Sequence, residues 1–581
     1  MIMSPPERTV AEGPRAAVTT GVFADLDTPD PLEAAFGDPL DAANPLGFAA
    51  FLDADERGDL LPAGERLLDR YGLGAEFVPL ALGGRLDRAD RLGRALRPLF
   101  RRDGALALGH GASNLVGGVN VWVAGDGAQQ RRLADVLLGG GRVAAAYTDT
   151  ETGNDVTGSR FTARRDGDRL LLRGRKEIVN NLGRAEAITL LARTDDAPGS
   201  RSHSLLLLDR AGLSRDHVDL LPRYRTAAVR AMYLGGMAFR DCPVPASSVV
   251  GGTGTALETM LRAFQLTRSV LPAATIGGMD TQLRTVVRFA LDRRLYGRAV
   301  ADLPHARAVL SDAFVDALVC DSLATVACRA LHLHPRLTPL YAAAVKYLVP
   351  VLLREAVDEV GVVLGARSFL RSGPEAVFQK HLRDLPVAAL VHAGASVCLA
   401  TMIPQLARIS RGWLADGPGE ASALFRLDAP LPPLDLPALA IVASGPDVLA
   451  APLWTARERL DGPLRALADE FVAELADLRA AVAGLAPRDR TPLAGPGSFD
   501  LAARYAVVLA AGAVLGVWLH TPGQPNAFLR DEGWVVAALT RLAHRIGRGE
   551  ALSYPREVAV PELLARHDSG HAFDLVGRRL A

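Results

Sequence analysis

Histidines among apolar residues or at helical spacing are the first candidates for chemistry. His392 lies in a charge-free run from Leu385 to Pro404, where its imidazole could serve as a general base or could be a buried side chain satisfied by a backbone carbonyl. His567 and His571 are four residues apart and could share a helix face and a metal ion. No third ligand is near them in the sequence, so we predict no metal site.

Several common signatures are missing from the sequence. There is no GxGxxG after a strand, no P-loop and no GxSxG segment, which disfavours Rossmann dinucleotide binding, nucleotide hydrolysis and the common serine hydrolase arrangement. The 65 basic and 65 acidic side chains balance, so neither nucleic-acid binding nor a polybasic membrane anchor is predicted. Four scattered cysteines favour a reducing cytoplasm.

The elements that must position these residues change in type along the chain. Residues 1–45 are acidic and rich in proline, which is typical of a solvated tail. Helical spacing predicts an amino-terminal helical domain over 46–146, and short β-type runs predict a small β-domain over 147–254. Long helices at about 255–294, 303–332, 337–364 and 383–412 predict an antiparallel bundle over 255–412. A linker (413–437) precedes an additional helical domain (438–581).

Two apolar runs approach the length needed to cross a bilayer. They extend from Leu385 to Pro404 and from Tyr505 to Leu519, and neither has a flanking basic cluster or an aromatic belt. We interpret both as buried helices. Contact of the second run with a membrane surface is the weaker alternative.

The segment over 147–181, YTDTETGNDVTGSRFTARRDGDRLLLRGRKEIVNN, carries the most informative motif. It resembles the acyl-CoA dehydrogenase pattern T-E-P-G-A-G-S-D, a strand, then N-G-x-K-x-W-I-T-N. Further matches follow in order along the chain as far as about residue 410. They are YGLGAEFVPLALGG (71–84), FRDCPVP (239–245), Thr267-Arg268 with Arg293 and Tyr296-Gly297, LGARSF (364–369) and Arg383-Asp384.

This resemblance implies the family's fold: a helical domain, a central β-barrel or sandwich and a four-helix bundle, here followed by an extra helical domain. It also implies FAD bound between the β-domain and the bundle, with an acyl thioester on CoA or an acyl carrier protein as substrate. The implied flavin contacts are Thr148, Asn154, Ile178, Asn180, Arg293, Tyr296, Gly365 and Ala366, with Arg293 reaching the FAD phosphates across a subunit boundary. Thr267 and Arg268 are the implied substrate contacts, although Arg268 could equally form an ordinary salt bridge within the bundle.

The sequence departs from the family where the chemistry is expected. The glutamate base is replaced by His392, or by Ala393 after a one-residue shift, and the alternative position on the first bundle helix is Thr267. Ile178 stands at the ring-packing tryptophan and Asn180 at the following threonine, while Pro304 and Val362 stand where glutamines are expected. His392 is therefore our candidate base.

Three functions remain open at this point. The first is α,β-desaturation of a specialised acyl thioester, which could belong to natural-product assembly. The second is a flavin-dependent monooxygenase on the same fold, and the third is a scaffold or proton-transfer catalyst, such as a cyclase, that has lost FAD. By similarity to longer family members in the placement of the extra domain, we expect a homodimer.

Overall fold

A computed structural model of the chain describes residues 21–390, 393–413 and 422–581. The amino-terminal part consists of short helices, and the side chain of Asp126 caps the last of them by accepting from the backbone N–H groups of Ala128 and Gln129. A π-helical turn, Ala107–Ala112, lies between the sixth and seventh helices. The helices are α1 (Pro31–Phe36), α2 (Phe48–Arg57), α3 (Pro62–Tyr71), α4 (Ala89–Ala95), α5 (Arg97–Arg102), α6 (Gly104–Leu106), α7 (Ser113–Ala124) and α8 (Gly127–Leu138).

The acidic segment near the amino terminus is packed from residue 21 onward, which differs from the predicted solvated tail. Helix α1 buries Leu32 and Phe36, and its Glu33 accepts a 2.8 Å hydrogen bond from Arg101. Asp30 pairs with Arg578 at 3.2 Å. Glu33 and Asp30 are thus paired with arginines that are distant in sequence, which composition alone does not show. Residues 1–20 of the predicted tail lie outside the described residues.

The predicted β-domain is an eight-stranded sheet of order β6-β7-β3-β2-β4-β5-β8, with β1 paired in parallel to β4. Alternate residues of the long strands face a separate apolar core that includes Phe161, Leu172 and Phe239. The strands are β1 (Val143–Ala146), β2 (Thr162–Asp166), β3 (Arg169–Asn180), β4 (Ala187–Arg193), β5 (His203–Asp209), β6 (Val218–Leu221), β7 (Leu234–Pro245) and β8 (Val249–Val250).

The bundle follows, and its first three long helices lie close to their predicted ranges. The predicted fourth helix, 383–412, is divided into shorter pieces in the described part, with Pro386 and Gly394 between them. Proline lacks the N–H that a helix interior needs, and glycine is a weak helix former. The elements are α9 (Ala256–Asp292), the hairpin β9 (Arg294–Leu295) and β10 (Arg298–Ala299), α10 (Pro304–Leu333), α11 (Thr338–Leu364), α12 (Ala376–Asp384), α13 (Val387–Leu390) and α14 (Ala395–Ile409).

The carboxy-terminal helices pack over the bundle, with the longest of them against α10, α11 and α14. Two segments, Ala376–Gly412 and Pro496–His520, are long and apolar enough to cross a membrane by length and composition. In the second, 78% of the apolar 18-residue window is buried inside the structure, as expected for a buried helix, whereas in the first the share is 38%. The helices are α15 (Ser422–Phe425), α16 (Ala451–Arg459), α17 (Gly462–Gly484), α18 (Pro496–His520), α19 (Ala527–Arg530), α20 (Gly533–Arg545) and α21 (Val560–Ser569).

Candidate active site

A cavity of about 580 Å³ lies where the amino-terminal helices, the β-domain and the bundle meet. This volume is within the range of small-molecule and cofactor pockets. Its walls are formed by the π-helical turn with α7, by the loop after β1 together with the end of β3, and by α9, α13 and α14. Of the predicted site residues, Thr148, Asn154, Ile178, Asn180 and Arg268 line it.

A buried ion pair supports the β-domain wall. The ammonium group of Lys176, in β3, is fully buried and donates a 2.8 Å hydrogen bond to Asp149 of the loop after β1. Burial lowers the pKa of Lys176, while the negative charge of Asp149 opposes this shift. One residue further along β3, Glu177 accepts a 2.6 Å hydrogen bond from the hydroxyl of Thr150. The loop that carries Thr148 and Asn154 is thus tied to β3 at two points.

Ile178 lies at an irregularity in the sheet. The pairing of β3 with β7 shifts between Lys176 and Val179, and Ile178 has φ of 53°, which is unfavourable for a β-branched residue. Its side chain is 48% exposed and lines the cavity. The structure therefore holds an apolar side chain at the cavity surface in a strained backbone conformation.

Asn180 joins the β-domain to the amino-terminal helices. Its amide group donates to the backbone oxygen of Gly109 at 2.8 Å and to the hydroxyl of Ser113 at 2.7 Å. Its Oδ1 is buried without a hydrogen-bond partner in the described part of the chain. Such an unpaired acceptor is costly to bury, and an N–H group of a ligand would satisfy it.

The Arg383-Asp384 pair positions another wall of the cavity. Asp384 accepts a 2.7 Å hydrogen bond from the backbone N–H of Val229, a cavity residue with φ of 45°. Lys380 donates to Asp384 at 2.8 Å, and Arg383 reaches both carboxylate oxygens of Asp55 at 2.7 and 2.8 Å. This buried network fixes the loop before β7.

The bundle wall contributes one cationic side chain. Arg268 in α9 is 6% exposed, and its Nε is buried with no hydrogen-bond partner among the described residues. Thr267 is also buried, and its hydroxyl donates to the backbone oxygen of Phe264 at 3.1 Å. Arg268, rather than Thr267, is the polar residue that α9 presents to the cavity.

The remaining predicted residues lie elsewhere. His392, the candidate base, is outside the described residues, although Leu390 and Ala393 on either side of it line the cavity. Arg293 and Tyr296 lie in the exposed hairpin after α9, where Tyr296 is 92% exposed with φ of 52°. Gly365, with φ of 62°, and Ala366 begin the short 3₁₀ segment that follows α11. Within one copy of the chain, these four residues are not brought to the cavity.

Tyr147 and Glu177 are among the cavity residues that sequence reasoning missed. Tyr147 bonds to Asn120 at 2.7 Å and to Thr189 at 2.8 Å, and burial raises its pKa to about 12. Glu177 is a carboxylate beside Ile178, and because β3 carries several other charged residues, its sequence did not single out Glu177. Among the residues that the structure describes, no group of three or more histidine, cysteine or carboxylate side chains could hold a metal ion.

Residues 254–403 match the family model described as "Acyl-CoA dehydrogenase, C-terminal domain". A protein of Mycobacterium tuberculosis (strain ATCC 25618 / H37Rv) named "Probable acyl-CoA dehydrogenase FadE25" is 23% identical over 246 residues, which are 42% of this chain and 62% of that protein. The match thus spans less than two thirds of that relative's length.

Three solved structures share the fold. The butyryl-CoA dehydrogenase of Megasphaera elsdenii has a TM-score of 0.57 and 18% identity, over 64% of this chain and 98% of that one. The prolyl acyl carrier protein oxidase AnaB has a TM-score of 0.56 and 17% identity, over 61% of this chain and 92% of that one. An FAD complex of PigA has a TM-score of 0.58 and 17% identity, over 64% of this chain and 96% of that one.

The helical, β and helical domains around a central cavity define a class of proteins with the acyl-CoA dehydrogenase architecture, so the predicted fold class is confirmed. The resemblance to the acyl-CoA dehydrogenase family that the motifs predicted is confirmed by the family model over residues 254–403 and by the curated relatives, and the solved structures share that fold.

Proposed function

We propose that this protein is an FAD-dependent oxidoreductase that desaturates an acyl thioester between Cα and Cβ. The observation that carries this proposal is the 580 Å³ cavity, in which four of the implied flavin contacts meet one implied substrate contact, Arg268. The family match supports the class of reaction, and the similarity to a PigA structure solved with FAD supports the cofactor.

The cavity fits a planar, largely apolar group with hydrogen-bonding edges. Ile178 offers a half-exposed apolar surface, and Asn180 offers an acceptor without a partner. Thr148, Asn154, Ile178 and Asn180 would hold the ring system of FAD. The chemistry that FAD supplies when bound is acceptance of a hydride from the Cβ atom of the acyl chain.

The remainder of FAD extends beyond this cavity. Arg293, Tyr296, Gly365 and Ala366 would hold the phosphate and adenine parts of FAD in a second copy, which makes the proposed assembly a homodimer. The exposed positions of Arg293 and Tyr296 support this, because within one copy they have no place in the cavity.

The chain's own residues would exclude water and move one proton. Apolar side chains of α9 and α14 line the substrate side, so charge that develops on the thioester would be poorly screened. His392 would accept the proton from Cα at an imidazole nitrogen, in place of the family's glutamate. Loss of that proton and of a hydride from Cβ leaves the Cα–Cβ double bond.

The thioester would be carried on CoA or on an acyl carrier protein. Butyryl-CoA dehydrogenase and prolyl acyl carrier protein oxidase, as named, represent these two kinds of carrier among the structural neighbours. We propose a specialised, biosynthetic substrate because the site departs from the usual family residues. The free, buried cysteines Cys242, Cys320, Cys328 and Cys398 fit a reducing cytoplasm.

An absorbance spectrum of the purified protein tests the cofactor, and an oxidised-flavin band is expected. His392→Gln is then expected to abolish desaturation with flavin content unchanged, whereas His305→Gln, at an exposed position at the start of α10, serves as the matched control. Unchanged turnover in His392→Gln would remove His392 as the base. Colourless protein would favour a non-redox role, and NADH-dependent oxygen consumption with a flavin reductase would favour a monooxygenase.

A further inference from the structure

Arg268 differs from the other buried arginines of the described chain. Each of the others has carboxylate or backbone carbonyl partners: Arg97 with Asp321 and Asp574, Arg101 with Glu33, Arg102 with Leu46 and Gly37, Arg329 with Asp90, and Arg566 with Glu562. Within the described ranges, no carboxylate lies within ion-pair distance of Arg268, and its Nε has no hydrogen-bond partner. A buried donor without an acceptor is costly, and an acceptor on a ligand in the cavity would satisfy this Nε.

A second buried cation reinforces the positive charge at this place. Lys346 in α11 is 1% exposed, and its ammonium group donates to the backbone oxygen of Ala388 in α13. Burial lowers the pKa of Lys346 to about 8, with the charge of Arg268 acting in the same direction and that of Cys398 opposing it. No carboxylate is among the groups that act on this lysine.

The surroundings of Arg268 are apolar. Met260, Phe264 and Leu271 line the cavity from the same side of α9, and Val397 lines it from α14. An apolar chain could lie along this wall, with its polar end beside the guanidinium. A guanidinium can bind a carboxylate through two parallel hydrogen bonds, which gives both charge neutralisation and geometric specificity.

We propose that the acyl group accepted by this cavity carries a carboxylate that pairs with Arg268, so that the substrate is the monothioester of a dicarboxylic acid. The inference rests on the proposed function, because it assumes that an acyl thioester occupies the cavity. It adds the substrate class, which the family resemblance leaves open. The positive charge of Lys346 adds to the electrostatic potential around Arg268, although Lys346 does not line the cavity.

Two matched series of CoA thioesters test this substrate class on the full, flavin-loaded chain. The first series is succinyl-, glutaryl- and adipyl-CoA, and the second is butyryl-, valeryl- and hexanoyl-CoA, which have the same chain lengths without the carboxylate. Isothermal titration calorimetry measures Kd for each. In the unsubstituted protein, at least one carboxylated thioester is expected to bind tenfold or more tightly than its neutral counterpart.

Arg268→Met is expected to reduce this preference to threefold or less, and Arg268→Lys to retain part of it. Arg262→Met is the matched control, because Arg262 lies on the same helix, pairs with Glu258 at 2.9 Å and does not line the cavity. It is expected to leave the preference unchanged. The thermal midpoint of each variant shows that it is folded.

Each result supports or overturns the anion subsite. Equal binding of the two series, or a preference that survives in Arg268→Met, would overturn it while leaving thioester oxidation intact. Binding of neither series would overturn this inference together with the CoA form of the proposed function. The comparison within the unsubstituted protein decides the question even if Arg268→Met does not fold.

Discussion

The ammonium group of Lys176 and the carboxylate of Asp149, 2.8 Å apart, join the end of β3 to the loop that forms one wall of the cavity. Lys176 is fully buried, and a 3.3 Å contact with the hydroxyl of Ser159 is its other polar interaction among the described residues. The pair connects two segments of the family motif that are 27 residues apart. The ion pair therefore helps to position Thr148 and Asn154, although Lys176 itself does not line the cavity.

Replacing Lys176 with methionine is expected to destabilise the protein by about 3–5 kcal/mol, because removal of one partner leaves a largely buried carboxylate uncompensated. The flavin content of this variant should also fall, since the loop after β1 loses its ion pair with β3. Arg173→Met is the matched control on the same strand, where the ion pair with Asp241 is exposed and contributes less than about 1 kcal/mol. Chemical denaturation and flavin absorbance measure the two effects. Equal stability of the two variants would contradict this role.

The backbone strain at Ile178 predicts an opposition between stability and flavin binding. A positive φ at a β-branched residue costs on the order of 1–3 kcal/mol, and the half-exposed side chain recovers little of this through burial. Ile178→Gly should therefore raise the free energy of unfolding of the flavin-free protein by about 1 kcal/mol and weaken flavin retention. Ile178→Val keeps the strain and should change stability little. A glycine variant that is less stable than the valine variant would disprove the explanation.

We expect the exposed hairpin after α9 to contact a second copy of the chain. Tyr296 is 92% exposed and Phe369, in the segment after α11, is 82% exposed, which is unusual for large apolar side chains. If both are covered by a second copy, Tyr296→Asp and Phe369→Asp should convert a dimer to a monomer and reduce flavin content. Leu493→Asp is the control, because Leu493 is 95% exposed in the carboxy-terminal extension. Light scattering measures the mass, and an unchanged mass in all three variants would contradict the proposed interface.

The carboxy-terminal segment is bonded to α5 and to the bundle helix α10, where the backbone N–H of Leu575 donates to Asp321 at 2.9 Å. Asp574 lies beyond the last helix and accepts a 2.7 Å hydrogen bond from Arg97, which is itself 2% exposed. Asp574→Ala should lower the free energy of unfolding by about 3–5 kcal/mol, because the guanidinium loses one of its two carboxylates. Asp568→Ala, at a side chain that is 75% exposed, should change it by less than about 1 kcal/mol. Denaturant unfolding compares the two.

The sequence predicted the fold because several ordered motifs each occur where the architecture needs a particular residue. The β-type runs form strands, and Thr148, Asn154, Ile178 and Asn180 line one cavity. Their contact with FAD stays a prediction. The segment 21–45 was harder to predict, because its burial depends on Arg101 and Arg578, which are distant in the chain. Local composition carries no information about such pairing.

The arrangement of charged side chains around the cavity also could not be predicted from the sequence. The residue type at position 268 permits either a bundle salt bridge or a ligand contact. Only the three-dimensional arrangement shows that no carboxylate lies within ion-pair distance of Arg268 among the described residues. The same holds for Glu177, whose place in the cavity depends on the irregular end of β3. The role of His392 stays a prediction.

The two buried lysines of the bundle should respond oppositely to removal of their charge. Burial lowers the pKa of Lys346 to about 8, with Arg268 acting in the same direction and Cys398 opposing it. For Lys380, burial alone would lower the pKa, but Asp103 and Asp384 raise it above its usual value. Lys346 is therefore destabilising while it is charged, and Lys380 is stabilised by its partners.

Between about pH 8 and the ordinary lysine pKa of 10.5, the unfolded chain binds more protons at Lys346 than the folded chain does, so the free energy of unfolding rises with pH through this window. The full penalty, about 3 kcal/mol, is present below pH 8. Lys346→Met should therefore be more stable than the unsubstituted protein at pH 7 by up to this amount, with the difference shrinking towards pH 10. Lys380→Met should be less stable at pH 7, because it leaves the buried carboxylate of Asp103 without an ion-pair partner and Asp384 with Arg383 alone. Urea unfolding of the three proteins at both pH values measures the differences, and a Lys346→Met stability gain that does not change with pH would contradict the buried-charge explanation.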